Sequence, residues 1–216
     1  MAAKVKPARD EPDGVTAWHG FSEESLMAAL SPPAIRCVEA GLIDRCDDDV
    51  LFAQHASGHL SLVVTTRSAY RHAIARTFIA AMASRTEFSE DLRERLYGAV
   101  QEALMNAILH GNLEVDPHLR DSLEGLLSAQ QAIETRLALP QVSCAMIRLK
   151  AVWNASTLHV VIRDSGKGYD AAELPERKEG QSEESASGRG LDILKTFSDG
   201  VEVSNGGTTV KLEFRR

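Results

Sequence analysis

From His59 onward the spacing of apolar residues changes several times, and each change marks a predicted element. "HLSLVVTT", starting at His59, alternates and is rich in β-branched residues, which predicts a strand. "SAYRHAIARTFIAAMAS", Ser68 to Ser84, repeats apolar residues at helical spacing and predicts a helix. Ser89 followed by Glu90 and Asp91 predicts the N-cap and acidic first turn of a longer helix. That helix ends near Gly111, a residue suited to a helix C-terminus. Asp116 then reads as a cap with Pro117 at the first helical position. Leu119, Leu123, Leu126, Leu127, Ile133 and Leu137 follow at helical intervals, so an amphipathic helix is expected, packed on the domain or on a partner. "CAMIRLKAVW" and "TLHVVIRD", joined by "NAS", predict a hairpin. "GLDILKTFSD" predicts a helix, and "VEVSNGGTTVKLEF" a second hairpin turning at Asn205-Gly206. Between these hairpins, residues 169–187 are rich in Glu, Ser and Gly, at a length typical of lids and disordered segments.

The first 57 residues follow a different pattern. Residues 1 to about 15 mix Lys, Arg, Asp, Glu and Pro and read as a disordered tail. "SEESLMAAL" predicts a short helix capped by Ser22, and "SPP" ends it. "AIRCVEAGLI" fits either a short helix or a strand, and "DRCDDD" a charged turn. No chemical motif appears in this stretch.

Composition narrows the function classes. The chain has 216 residues, 44% hydrophobic and 25% charged, an ordinary globular balance. Only 5% are aromatic, so the core is expected to be Leu, Val, Ile and Ala. A net charge of −7 argues against broad nucleic-acid binding, which needs a basic face. The three cysteines, Cys37, Cys46 and Cys144, form no C-x-x-C pair, and they read as reduced thiols in a cytoplasmic protein. The N-terminus lacks the apolar core of a signal peptide, and no stretch is long enough to span a bilayer.

The candidate chemistry begins in the helix after Ser89. From Leu96 to Leu109 nearly every residue is apolar or small, and Glu102 is the only charged one. At 100° per residue, Leu96, Val100, Ala103, Leu104 and Ala107 form one stripe, with Met105 and Leu109 roughly opposite. Glu102, Asn106 and His110 form a polar column between them. An unpartnered buried charge is costly, so this column is expected to face a cavity that holds something polar. A half-exposed helix with chance spacing would also produce it. "VVIRDSGKGYD" delivers Asp164 at a strand end, with Gly166 and Gly168 free to let a ligand approach the backbone; an ordinary Asx turn fits as well. Gly188 and Gly190 stand before a helix beginning near Leu191, an arrangement that binds phosphate or simply joins a loop to a helix. Gly206, Gly207 and Thr208 occupy a tight turn.

The four signals occur in a telling order: E-x-x-x-N-x-x-x-H-G, D-x-G-x-G, G-x-G-L and G-G-T. In this the chain resembles the GHKL ATPase superfamily of gyrase, mismatch-repair and heat-shock chaperone ATPases and histidine kinases. "EALMNAILHGN", with "SEDLRERLYGAVQ" before it, is most similar to the bacterial anti-sigma-factor serine/threonine kinases. The resemblance covers residues 58–216. It implies an α+β, two-layer sandwich of the Bergerat type, a mostly antiparallel mixed sheet covered by helices on one face. Residues 116–141 are then a helical insertion, 169–187 an ATP lid, and 1–57 an N-terminal extension. It also implies roles: Glu102 as general base, Asn106 as Mg²⁺ ligand, and Asp164 as acceptor from adenine N6. Gly166 and Gly168 would let the base pack close, and Gly188, Arg189, Gly190 and Leu191 would form the lid end over the phosphates. Gly207 and Thr208 would support the adenine pocket, and His110 would either orient the helix end or line the phosphate site.

The expected activity is Mg·ATP-dependent phosphorylation of a Ser or Thr on an anti-anti-sigma protein, with or without capture of a sigma factor. The alternative is a nucleotide-switched binding module with little turnover. A histidine-kinase catalytic domain ranks lower, because His55, His59 and His72 lack a phosphoacceptor setting. A gyrase-type ATPase is set aside, since no transducer segment follows the motifs. By analogy a homodimer is expected, without direct contact to nucleic acid or membrane.

Overall fold

The computed structural model describes residues 14–45, 56–116, 123–168 and 189–216. In chain order, β1 (Val15–Trp18), α1 (Glu23–Leu30) and β2 (Arg36–Glu39) come first, followed by a 3-10 turn over Ala40–Arg45. Then come β3 (Gly58–Thr65), α2 (Thr66–Arg71), α3 (Ile74–Ala83) and α4 (Glu90–Asn106), which continues as a π-helical segment over Ala107–Asn112. α5 (Leu123–Leu137), α6 (Pro140–Ser143), β4 (Met146–Trp153) and β5 (Thr157–Arg163) follow, then α7 (Arg189–Phe197), β6 (Gly200–Ser204) and β7 (Thr209–Arg215).

The strands form one seven-stranded sheet in the order β1-β2-β3-β4-β5-β7-β6. β1, β2 and β3 pair in parallel and all other pairs are antiparallel. Strict alternation puts Ile147, Leu149, Ala151 and Trp153 of β4 on the buried face, beside Leu158, Val160 and Ile162 of β5. Phe78 and Met82 of α3 and Leu96, Val100 and Leu104 of α4 close over that face in one core. This is the expected two-layer α+β sandwich with a mostly antiparallel sheet. On the opposite face the 3-10 turn lays Leu42 against Val38 and Val63.

Four features depart from the sequence reading. First, residues 14–45 are built into the domain. β1 and β2 extend the sheet beyond β3, and Trp18, Leu26, Leu30 and Cys37 are buried in the same core as Leu60 and Phe78. β1 has only four residues and pairs in parallel, so no turn signal announces it. Arg85 of the α3–α4 connection ties this segment down by donating to the carbonyls of Leu30 and Ala34, the latter at 2.6 Å. Second, the predicted Ser68–Ser84 helix is two helices. His72 turns extended, and the Ala73 N–H donates to Glu23 of α1 at 3.0 Å instead of to a helical carbonyl. A tertiary partner from the N-terminal segment thus breaks a run whose local pattern is continuous. Third, "AIRCVEAGLI" divides into β2 and the 3-10 turn. Fourth, α6 follows α5 without having been foreseen; Arg67 of α2 binds both, donating to the Leu137 carbonyl at 2.9 Å and to Ser143 Oγ at 3.3 Å.

The cap of α1 is as expected at Ser22, whose hydroxyl and that of Ser25 each accept the other's N–H at 3.2 Å. Ser89 caps α4 by accepting from Leu92 N at 3.2 Å. In α5, Ala129, Ile133 and Leu137 are buried, while Leu126 and Leu127 are exposed. The expected tail, the acidic turn from Cys46, the Pro117 start of the insertion helix and the lid lie outside the described residues. Among the described residues, Cys37 and Cys144 are free thiols, and no helix is long and apolar enough to cross a membrane.

Candidate functional site

Glu102 and Asn106 lie one helical turn apart at the end of α4, both partly buried. Asn106 Nδ2 donates to Glu102 Oε1 at 3.2 Å, which leaves the Asn106 amide oxygen for another partner. Gly190, in the first turn of α7, sits directly on this pair. A Cβ there would lie 2.9 Å from Glu102 Oε1 and 3.0 Å from Asn106 Nδ2. A carboxylate and an amide four positions apart are therefore brought against a helix N-terminus 84 or more positions further along the chain. α7 is held there by packing on α4: Gly98 lies flat under the Phe197 ring, and Leu194 is buried. Leu191 packs partly buried against the core. The backbone of Arg189 begins α7, and Gly188 lies outside the described residues.

Beyond Asn106 the helix widens into the π segment. The Leu113 N–H reaches back to Ile108 O at 2.9 Å, a five-residue step. π turns of this kind are rare and concentrate at functional sites. Leu109 is buried in the core, and Met105 packs partly buried against the same core. His110 Nδ1 lies 3.1 Å from the Val115 carbonyl, a contact that braces the helix end.

The π segment brings Gly111 against Asp164. A Cβ on Gly111 would lie 2.5 Å from Asp164 Cγ, and one on Gly166 would lie 2.3 Å from the Gly111 carbonyl oxygen. Both glycines are required by close approach. Asp164, at the end of β5, is 8% exposed. Its N–H donates to the Thr208 carbonyl at 3.1 Å, and its Oδ1 accepts from Gly166 N–H at 2.8 Å. Among the described residues no donor reaches its Oδ2. Burial raises the carboxyl pKa above the ordinary aspartate value, against the opposing pull of the Gly166 N–H. Gly168 has φ +72 and packs on the Gly206 carbonyl, so the D-x-G-x-G loop rests on the Asn205–Thr208 turn. Gly207 also has positive φ, and Thr208 Oγ1 donates to Asn205 O at 3.0 Å within that turn.

The sequence reading missed Asn112. It is buried at the end of the π segment, where it donates from Nδ2 to Thr66 Oγ1 at 2.8 Å and accepts Ser165 N–H at 2.8 Å. The available signal was a lone Asn between Gly111 and the apolar Leu113. Outside this region an apolar groove runs between α3 and α4, lined by Arg76, Ile79, Ala80, Arg93 and Tyr97. None of the motif residues borders it.

For a divalent cation the donors on offer are the Asn106 amide oxygen and the Glu102 carboxylate. Among the described residues no cluster of three or more His, Cys, Asp or Glu could hold a metal. Hard oxygen donors in such small number fit Mg²⁺, which keeps most of its shell as water and substrate phosphate.

The family model for the histidine kinase-like ATPase domain matches residues 64–214. A comparison with curated proteins finds no match.

Proposed function

Since the chain belongs to the histidine kinase-like ATPase family, we propose that it is a Mg·ATP-dependent protein serine/threonine kinase of the anti-sigma type. Its substrate on this reading is an anti-anti-sigma protein, and a sigma factor is the regulated partner. The observation that carries the proposal is the Glu102–Asn106 pair lying against Gly190 at the start of α7. A helix start offers free N–H groups and a positive dipole end to phosphate. Phosphoryl transfer requires mainly positioning and charge neutralisation, which this arrangement can supply.

ATP would lie with its adenine at Asp164 and its phosphates between Asn106 and Gly190. Asp164 Oδ2 would accept from adenine N6; guanine, with an acceptor at that position, would be refused. Asn106 would hold Mg²⁺ through its amide oxygen, and the ion, when bound, neutralises phosphate charge. Glu102 would take the proton of the attacking Ser or Thr hydroxyl. The hydroxyl oxygen then bonds to the γ-phosphorus, the bond to the β-bridging oxygen breaks, and ADP leaves.

The test is to incubate lysate of the source cells with γ-labelled ATP and the protein, then map phosphosites on what it captures. Label on a Ser or Thr of an anti-anti-sigma protein, lost with Glu102→Gln although ATP still binds, is the expected result. Transfer at the wild-type rate by Glu102→Gln contradicts the assignment of the base. A captured sigma factor with no phosphorylated antagonist contradicts the kinase reading in favour of a binding module.

A further inference from the structure

We infer that Asn112 is a positioning residue for adenine recognition, holding the Asp164 loop in the geometry that reads the base; this rests on the nucleotide site proposed above. Asn112 is 6% exposed and uses both sides of its amide. Nδ2 donates to Thr66 Oγ1 at 2.8 Å and to the Met146 carbonyl at 3.3 Å, while Oδ1 accepts the Ser165 N–H at 2.8 Å. Thr66 Oγ1 in turn donates to Ala145 O at 3.0 Å, and Ser165 Oγ donates to Met146 O at 3.0 Å. One side chain thus joins the start of α2, the start of β4 and the first peptide after Asp164.

That peptide is the important one. The Ser165 N–H belongs to the peptide unit that follows the Asp164 Cα, so its orientation sets where the Asp164 side chain leaves the backbone. Asn112 fixes it from the π segment, and the Thr208 carbonyl fixes the Asp164 N–H from the opposite side. The neighbouring Gly111 lies against the carboxyl itself. Donating to Thr66 and Met146 while accepting from Ser165 takes a carboxamide. Aspartate lacks the donor, and leucine and alanine lack both. An unmet buried N–H is costly, so the loop would reorient towards another partner and carry Asp164 with it. The π turn supplies the register: it places Asn112 on the loop while Glu102 and Asn106, on the α-helical part, stay at the phosphate end. Base and phosphate subsites are therefore set by two halves of one continuous helix.

The test compares ATP with ITP, which carries a 6-oxo acceptor where adenine carries an amine. Wild-type protein is expected to prefer Mg·ATP. Asn112→Ala should reduce the ATP-to-ITP affinity ratio on the order of tenfold, with tripolyphosphate affinity retained. Equal loss of ATP, ITP and tripolyphosphate binding, or an unchanged ratio, overturns the inference. Where Asn112→Ala does not fold, as judged by thermal melting, Thr66→Val takes its place: a reduced ratio, restored in Thr66→Ser, supports the clamp, and an unchanged ratio refutes it. Asp164→Asn separates the two levels of the reading. If it loses Mg·ATP binding while the clamp variants keep the wild-type ATP-to-ITP preference, only the role of Asn112 fails; if it binds Mg·ATP like wild type, the adenine site fails.

Discussion

Gly111→Ala isolates the contact between the π segment and the Asp164 carboxylate. Gly111 does not have a positive φ, so the backbone accepts alanine, and a helical Gly→Ala change by itself favours the helix by about 1 kcal/mol. The added Cβ, however, would lie 2.5 Å from Asp164 Cγ and 2.8 Å from both carboxylate oxygens. Carbon atoms rest at roughly 3.5–4.0 Å, so the carboxyl must retreat by about 1 Å or more. It has little room, because Oδ1 is bound to Gly166 N–H at 2.8 Å and the Asp164 N–H to the Thr208 carbonyl at 3.1 Å. Overpacking of this kind costs roughly 1–3 kcal/mol, which exceeds or cancels the propensity gain. The expected outcome is a melting temperature lowered by a few degrees at most, with Mg·ATP affinity reduced about tenfold to a hundredfold. Calorimetric titration paired with thermal melting measures both. A variant that binds Mg·ATP like wild type would refute the placement of the adenine-reading group against Gly111.

Two further outcomes follow from the same structure. Arg85→Ala leaves the carbonyls of Leu30 and Ala34 without their donor, so a destabilisation of about 2 kcal/mol is expected in denaturant titration; no loss would mean that residues 14–45 are not anchored there. Asp164 has its pKa raised by burial, so its ionised form opposes folding, and that penalty fades as pH falls through the raised folded value towards the unfolded value of about 3.9. Asp164→Asn should therefore be more stable than wild type at neutral pH, by a margin that shrinks on acidification. A margin that is constant or grows would show that burial does not dominate at this carboxylate. Glu114, whose pKa is lowered first by the Lys167 hydrogen bond, loses its own stabilising contribution as pH falls through its folded value, equally in both proteins, so it drops out of the comparison.

The parts of this fold that local chemistry dictates could be read from the residues. β4 and β5 declare themselves by strict alternation, and Asn154 turns the chain between them by accepting the N–H groups of Ser156 and Thr157 at 2.9 Å. Glu102 and Asn106 stand four apart, so their pairing needs only an α-helix. The parts decided by distant partners could not be read. The break between α2 and α3 depends on Glu23, some 50 residues away, and β1 is defined by a parallel neighbour. The π turn is the most consequential case. Its sequence, "AILHGN", continues the α-helical apolar pattern, and the wider turn fits because Gly111 admits Asp164 and Asn112 reaches Thr66 and Ser165. His110 lies within it, with Nδ1 3.1 Å from the Val115 carbonyl.

The central claim is that nucleotide binds with its base at Asp164. Titration calorimetry of Mg·ATP into wild-type protein and Asp164→Asn tests this most directly. The account predicts binding at one site per chain in the wild type and no measurable binding in the variant, with both proteins folded by thermal melting. Wild-type affinity in Asp164→Asn would contradict it.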